Sequence, residues 1–172
     1  MGELSDILLG AIGKHFISIS CAELDDNNEP VQAFVFSAFV IEIVGEWFLL
    51  TAGHVLTEIE RARAAGKRLD VWRLGDQTGN RRFGSGSVPF DYNAEDWLVI
   101  DNRDTGLDYA ALPLRPIYRA ALVRGGIEPI REHVWDNPWT DDFERRALIG
   151  IPAESVHYDG NTQIRLKITL AP

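Results

Sequence analysis

The sequence predicts an all-β protein built from short antiparallel strands, arranged as a barrel or a sandwich. Short runs of β-branched and aromatic residues recur along the chain, and turn residues separate them about every 8 to 12 residues. Only one long segment has clear helical spacing, so strands do not alternate with helices as they do in a parallel, doubly wound sheet. The composition is that of a globular chain, because 45% of the 172 residues are hydrophobic and 25% are charged.

The strands are predicted from period-two alternation or from continuous β-type composition. In chain order, the predicted strands are residues 15–22, 31–44, 47–51, 69–74, 97–100, 109–114 and 164–170, and residues 147–151 are a short apolar run closed by Pro152. Gly45 and Glu46 lie between the second and third of these strands as a two-residue turn candidate, which predicts a β-hairpin. Pro113 and Pro116 indicate that the chain leaves the sheet there and enters a linker.

Residues 54–65 are the long segment with helical spacing, and Gly66 follows them as a residue suited to end a helix. A shorter helix is predicted over residues 4–12, where Ser5 or Asp6 can cap the first turn. The longer helix directly follows the third predicted strand. Its apolar positions are Val55, Leu56, Ile59 and Ala62.

Charge and cysteine content exclude several classes of partner and location. The net charge is −9, from 17 Lys and Arg against 26 Asp and Glu. Because nucleic acids and anionic membranes are usually bound by clustered Lys and Arg, neither is expected as a partner. No apolar run is long enough to span a bilayer, and the N-terminus lacks the basic region of a secretory signal. The single cysteine, Cys21, cannot form an internal disulfide, so a cytoplasmic location is expected.

No metal site is expected from the sequence. The histidines lie at spacings that do not match a zinc site, and a single cysteine removes the thiolate-rich versions. The Gly- and Ser-rich residues 84–87 lack the lysine of a phosphate-binding loop. The four histidines are His15, His54, His133 and His157.

His54 and Asp108 are the residues whose context indicates chemistry. His54 lies where an apolar strand turns into a helix, so one side is held by rigid structure and the other is open, as a general base requires. Asp108 begins an apolar strand, where a carboxylate needs a partner, and an imidazole N–H would provide one. Taken alone, each residue also has a structural interpretation: a histidine under a turn, and an aspartate that caps the preceding loop.

The surrounding residues resemble a known family. Residues 48–56, Phe-Leu-Leu-Thr-Ala-Gly-His-Val-Leu, resemble the Thr-Ala-x-His block of trypsin-like (chymotrypsin-fold) serine proteases. Residues 107–112, Leu-Asp-Tyr-Ala-Ala-Leu, resemble the Asp-x-Ala-x-Leu block of that family, and the two blocks have its order and separation. Residues 146–152 resemble an early second-barrel strand of bacterial members, with Ile151 in place of the usual aromatic residue. The resemblance spans residues 31–152.

The resemblance implies an antiparallel trypsin-like double β-barrel, with the first barrel complete and the second incomplete in this chain. Residues 1–30 would form an N-terminal helix and a first strand. Residues 31–115 would form the first barrel with the His and Asp blocks, and residues 116–172 a linker and the opening strands of the second barrel. An incomplete barrel exposes a sheet edge, which we expect a second chain or a missing C-terminal segment to cover.

The resemblance also assigns roles to the two residues. His54 would be the general base and later the general acid, and Asp108 would orient it. No cofactor is expected, because such an enzyme takes its nucleophile, base and oxyanion donors from the protein. The Gly-x-Ser-Gly-Gly block that supplies the family nucleophile does not follow Asp108. Ser155 is the one serine in that part of the chain and has no adjacent glycine, whereas Ser85 and Ser87 precede Asp108.

Three functional hypotheses follow. The first is a trypsin-like serine endopeptidase acting on a protein or peptide, present here as a portion that lacks the serine and is inactive alone. The second is a non-catalytic protein-binding module on the same fold, with Trp135 and Trp139 as candidate contacts. The third is an unrelated small β-barrel with chance matches. His54 and Asp108 side chains more than about 6 Å apart would support it.

Overall fold

The computed structural model describes residues 7, 10–76, 87–102 and 104–135, and the backbone of four short strands after them. Residues 10–12 are helical and continue into a 3₁₀ turn at Gly13–His15, within and just after the predicted N-terminal helix. Seven strands precede the C-terminal ones: β1 (Phe16–Leu24), β2 (Pro30–Ile43), β3 (Glu46–Thr51), β4 (Arg68–Asp76), β5 (Val88–Pro89), β6 (Leu98–Asn102) and β7 (Leu107–Pro113).

These seven strands form one sheet in the order β5-β4-β1-β2-β3-β7-β6, and all of its neighbouring strands are antiparallel. The prediction of a mainly antiparallel β protein with few helices is therefore confirmed. The pairings among the described residues form an open series, with β5 and β6 as its outer strands. The double barrel, with its first barrel closed, stays a prediction.

The C-terminal strands pair in two small sheets, β8 with β11 and β9 with β10. Their bounds are β8 (Leu148–Gly150), β9 (His157–Tyr158), β10 (Ile164–Arg165) and β11 (Thr169–Ala171). The predicted strand over residues 164–170 thus corresponds to two short strands with different partners. Ser85, Ser155 and Trp139 lie outside the described residues.

Helix α1 (Gly53–Ala64) follows β3 after a single residue and ends before Gly66, whose φ of 89° suits glycine. This confirms the predicted longer helix. Helix α2 (Pro116–Arg124) lies where a linker was predicted, because a proline at the first helical position costs no hydrogen bond and helps to start a helix. A single helical turn, α3 (Glu132–Trp135), follows. Within the described ranges, no helix has the length and apolar character needed to cross a membrane.

The β2–β3 hairpin turns at Val44 and Gly45, one residue earlier than predicted. Both residues have positive φ angles, 51° and 80°. Two consecutive positive φ angles are typical of a type I′ turn, whose twist matches that of the flanking strands. Glu46 is therefore the first residue of β3 and not part of the turn.

The core is formed by buried residues of the sheet and of helices α1 and α2. β1 is an interior strand of the sheet, and its first six residues are all buried. In β3, buried and half-buried residues alternate, as expected when one face of a strand is fully covered. Helix α1 contributes Leu56 and Ile59, each about 3% exposed, and burying such a side chain stabilises a fold by about 1.5–3 kcal/mol. Other buried members of the core are Ile17, Ile19, Val40, Leu49, Trp72, Leu74, Trp97, Ala110 and Leu112.

Candidate active site

The strand-to-helix turn that carries His54 is anchored on its strand side by a hydrogen bond. The hydroxyl of Thr51, the last residue of β3, is buried and donates to the carbonyl oxygen of Ser37 on β2 at 2.8 Å. His54 is the second residue of α1. The N-cap residue, Ala52, has no side chain that can accept a hydrogen bond from the helix. The first turn of α1 therefore needs an acceptor from elsewhere in the fold.

Gly53 allows the start of α1 to lie against the backbone of β6. A Cβ atom at this position would be 2.5 Å from the carbonyl oxygen of Ile100 and 3.1 Å from Oδ1 of Asp108. The distance to the Ile100 oxygen is too short for a carbon atom and the distance to Asp108 is tight, so a side chain here would force the helix and the strand apart. The glycine between Ala52 and His54 is required by this close approach.

Asp108 is the second residue of β7 and lies beyond the last paired residue of β3. Thr51 pairs with Ala110, so Asp108 extends past the end of β3 toward the start of α1. Residues 108, 110 and 112 alternate onto one face of β7, and Ala110 and Leu112 on that face are buried. The strand therefore places one carboxylate at the rim of the core.

Asp108 binds His54 through both carboxylate oxygens. Oδ2 lies 2.6 Å from Nδ1 of the His54 ring, and Oδ1 accepts the backbone N–H of the same residue at 2.8 Å. The sequence-predicted pair is thus in contact, although the two residues are 54 positions apart. Separated side chains, the observation that would have supported an unrelated barrel with chance matches, are not found.

The contact favours the ionised form of Asp108 and selects the tautomer of the neutral His54 ring. The hydrogen bond from the His54 ring is the largest influence that lowers the pKa of Asp108 below its ordinary value of 3.8, and the backbone N–H groups of His54 and Gly53 add to it. Asp108 is therefore a carboxylate near neutral pH and accepts hydrogen bonds only. Because Nδ1 must then carry the proton, Nε2 of the neutral ring holds the lone pair.

The open side of His54 is accessible to another molecule. The His54 side chain is 61% exposed and that of Asp108 is 39% exposed. A general base needs a lone pair that a reacting hydroxyl can reach, and an orienting carboxylate on the far side of the ring. The arrangement can accept a proton at Nε2 and stabilise the imidazolium that results.

Thr57 and Asp101 lie beside this pair and were not predicted from the sequence. The Thr57 hydroxyl, one turn after Gly53 on α1, is 3.1 Å from Oδ2 of Asp101 on β6 and 3.3 Å from the Gly53 carbonyl oxygen. Asp101 pairs with Asp108 across β6 and β7. The helical spacing of residues 54 and 57 was a possible signal, but the cross-strand register has no local signature.

Of the possible nucleophiles weighed from the sequence, Ser87 and Cys21 lie in the part of the chain that the structure describes, and neither is paired with His54. Ser87 accepts a hydrogen bond from Arg73 on β4, at the opposite end of the sheet from β7 and β6. Cys21 is buried in β1, and burial raises the pKa of its thiol to about 12, so it does not form a reactive thiolate. Ser85 and Ser155 lie outside the described residues, as does the side chain of Trp135.

The other described histidines have no metal-binding arrangement. His15 bonds through Nδ1 to the carbonyl oxygen of Glu128 at 2.8 Å, which links the start of β1 to the segment after α2. Across the part of the chain that the structure describes, no three His, Cys, Asp or Glu side chains form a group that could hold a metal ion.

Comparisons of the chain with protein-family models, with curated proteins and with solved structures found no match. The functional interpretation therefore depends on the residues and on their geometry.

Proposed function

We propose that this chain carries the general-base half of a trypsin-like serine endopeptidase, an enzyme that hydrolyses peptide bonds with a Ser-His-Asp triad on a double β-barrel. The observation that supports this proposal most strongly is the two-point contact of Asp108 with His54. It orients the ring, selects the Nδ1 proton and leaves Nε2 exposed. The His and Asp sequence blocks support the same family.

In the proposed reaction, Nε2 of His54 takes the proton of a serine hydroxyl while the serine oxygen bonds to the substrate carbonyl carbon. Asp108 stabilises the imidazolium formed in this step. The imidazolium then donates the proton to the leaving amine nitrogen as the peptide C–N bond breaks, which leaves an acyl-enzyme. Water repeats the cycle with His54 as base, and releases the acid product and the free serine.

The serine and the oxyanion donors would come from outside the described residues. We propose that a further segment or a second polypeptide completes the second barrel and places a serine near Nε2 of His54. The chain alone would then be inactive, because the oxyanion hole and the primary specificity pocket of this family are formed around the serine. A protein or peptide would be the substrate, and no cofactor would be needed.

The test uses the native protein, isolated with any polypeptide bound to it and treated with a fluorophosphonate probe. We expect one serine to be labelled, and labelling to slow by about 10³-fold or more in His54→Gln and Asp108→Asn. His133→Gln is the matched control and should be labelled like the wild type. A native assembly in which no serine reacts, although His54→Gln and wild type fold alike, contradicts the proposal.

A non-catalytic binding module is the second candidate. It is favoured by an apolar patch on the outer face of β6 and β7, where Leu98, Leu107 and Tyr109 are 61%, 49% and 37% exposed. In a binding screen, an interaction lost in Trp139→Ala and kept in His54→Ala would support this candidate over the protease.

A further inference from the structure

Two carboxylates face each other beside His54. Asp101 on β6 and Asp108 on β7 are direct cross-strand partners, so both side chains are on the same face of the sheet. Two like charges at such positions normally destabilise a sheet, unless each has its own partner. Asp108 has His54 as its partner, and Asp101 has the hydroxyl of Thr57.

Thr57 connects the helix that carries His54 to the strand beside Asp108. Its hydroxyl has one proton and two acceptors within reach, Oδ2 of Asp101 at 3.1 Å and the Gly53 carbonyl oxygen at 3.3 Å. The Asp101 oxygen is both nearer and charged, and hydrogen bonds to charged acceptors are the stronger ones. The bond to Asp101 is therefore the one that holds this side chain.

The first turn of α1 then has two points of attachment to β6. At one point Gly53 lies against the carbonyl oxygen of Ile100, and at the other Thr57 binds Asp101. The first contact sets the distance between helix and strand, but permits rotation of the helix about its own axis. The second contact, one turn further along, opposes this rotation, which would move the His54 ring away from Asp108.

We propose that Thr57 and Asp101 are positioning residues for the His54–Asp108 pair: their hydrogen bond fixes the rotation of α1, so that Nδ1 of His54 meets Oδ2 of Asp108. The inference deepens the proposed protease function and rests on it for its catalytic meaning. The geometric part can be tested without any catalytic activity, because it concerns which ring nitrogen of His54 carries the proton.

The experiment records the ¹⁵N spectrum of the histidine rings in the full chain at a pH where they are neutral. The His54 signals are assigned by their loss in His54→Gln. In the wild type we expect one tautomer, with the proton on Nδ1. In Thr57→Val, which has a similar shape but no hydroxyl, and in Asp101→Ala, we expect a mixture in which the Nε2–H form rises about two- to tenfold, the effect of one lost hydrogen bond.

Two conservative variants separate positioning from general destabilisation. Thr57→Ser keeps the donor and Asp101→Asn keeps an acceptor, so both should retain the single tautomer of the wild type. The double variant Thr57→Val/Asp101→Ala should shift the tautomers no further than either single variant, since both remove the same bond. Asp104→Ala, which removes an exposed carboxylate from the neighbouring turn, is the control for charge and should behave like the wild type.

The outcomes distinguish this inference from the proposed function. A wild type with the proton on Nε2 would contradict the His54–Asp108 geometry itself and therefore both proposals. A wild type with the proton on Nδ1, together with an unchanged tautomer in a folded Thr57→Val or Asp101→Ala, would overturn the positioning role alone. A tautomer shift in Asp104→Ala equal to that in Asp101→Ala would also overturn it.

Discussion

Asp108 caps the helix that carries His54 with the same carboxylate that orients the His54 ring. Oδ1 accepts the backbone N–H of His54 at 2.8 Å, and Oδ2 contacts Nδ1 at 2.6 Å. Because the N-cap residue Ala52 cannot accept such a bond, a side chain from a distant strand takes that role. One side chain therefore both caps the first turn of α1 and contacts the ring of His54.

We predict that Asp108→Ala increases hydrogen exchange at the start of α1. Without the carboxylate, the amide of His54 has no acceptor in the first turn, so it should exchange several-fold faster. Amide exchange followed by NMR measures this. The amide of Glu95, which bonds to the side chain of Asn93, should be unaffected and is the internal control. Equal exchange rates for the His54 amide in variant and wild type would contradict the capping role.

The second prediction concerns acid stability. The pKa of Asp108 is lowered on folding, chiefly by the His54 ring, so the ionised carboxylate is bound more tightly in the folded state. This contribution to the free energy of unfolding is complete above the ordinary value of 3.8 and is lost as the pH falls through the lower folded value. Urea unfolding from about pH 6 to about pH 3 should therefore show a smaller acid-induced loss in Asp108→Asn than in the wild type.

Among the described carboxylates, Asp25 and Glu128 also have lowered pKa values, so their contributions to stability are lost over the same acidic pH range. Hydrogen bonds from backbone N–H groups, that of Glu29 first, lower the pKa of Asp25, and the Lys14 ammonium lowers that of Glu128. Both groups remain in Asp108→Asn and cancel in the comparison with the wild type. An acid-induced loss of the same size in both proteins would argue against the Asp108 contribution.

The third prediction is that Gly53→Ala destabilises the protein, although alanine favours helices. The added Cβ would lie 2.5 Å from the Ile100 carbonyl oxygen, and we expect a loss of about 1–3 kcal/mol in the free energy of unfolding, as in other overpacked sites. Gly10→Ala is the matched control, because Gly10 is helical and no atom lies within 4 Å of its added Cβ. Thermal unfolding of the two variants measures the difference, and equal melting temperatures would contradict the close approach.

The fourth prediction is that Val44→Asn stabilises the β2–β3 hairpin. Val44 is 86% exposed and adopts a φ of 51°, which is unfavourable for a β-branched residue. Asn followed by Gly is the preferred pair for a type I′ turn, so the variant should gain about 1 kcal/mol. Val31→Asn, at an exposed position in an extended strand, should give no such gain. Chemical denaturation of both variants checks this, and a loss in Val44→Asn would contradict the assigned turn.

Local patterns in the sequence were sufficient for the elements with strong periodicity. Helix α1 and strand β3 have clear spacing and occur within one or two residues of the predicted bounds. Helix α2 was not predicted, because Pro113 and Pro116 are both loop signals and only the surrounding packing shows that one of them begins a helix. The turn at Val44 was displaced by one residue for a similar reason, since valine is rare at positive φ.

Only those residues of the candidate site that belong to a recognisable sequence block could be predicted. His54 and Asp108 were identified from their sequence blocks, and their contact agrees with the geometry that the resemblance implies. Thr57 and Asp101 have ordinary surroundings in the sequence. Their position beside His54 and Asp108 depends on the register between β6 and β7. This register is set by long-range packing and cannot be predicted from the sequence of either strand alone.

The distant cap on α1 has a consequence for how the chain folds. A helix of 12 residues is marginal in isolation, and this one has no local cap to help its first turn form. Its acceptor is synthesised 54 residues later. The first turn of α1 is thus completed only after β7 has docked on β3, a long-range step that is slow relative to local helix formation. The ring of His54 acquires its orientation only once β7 is in place, so a chain in which β7 has not docked would not carry an assembled base.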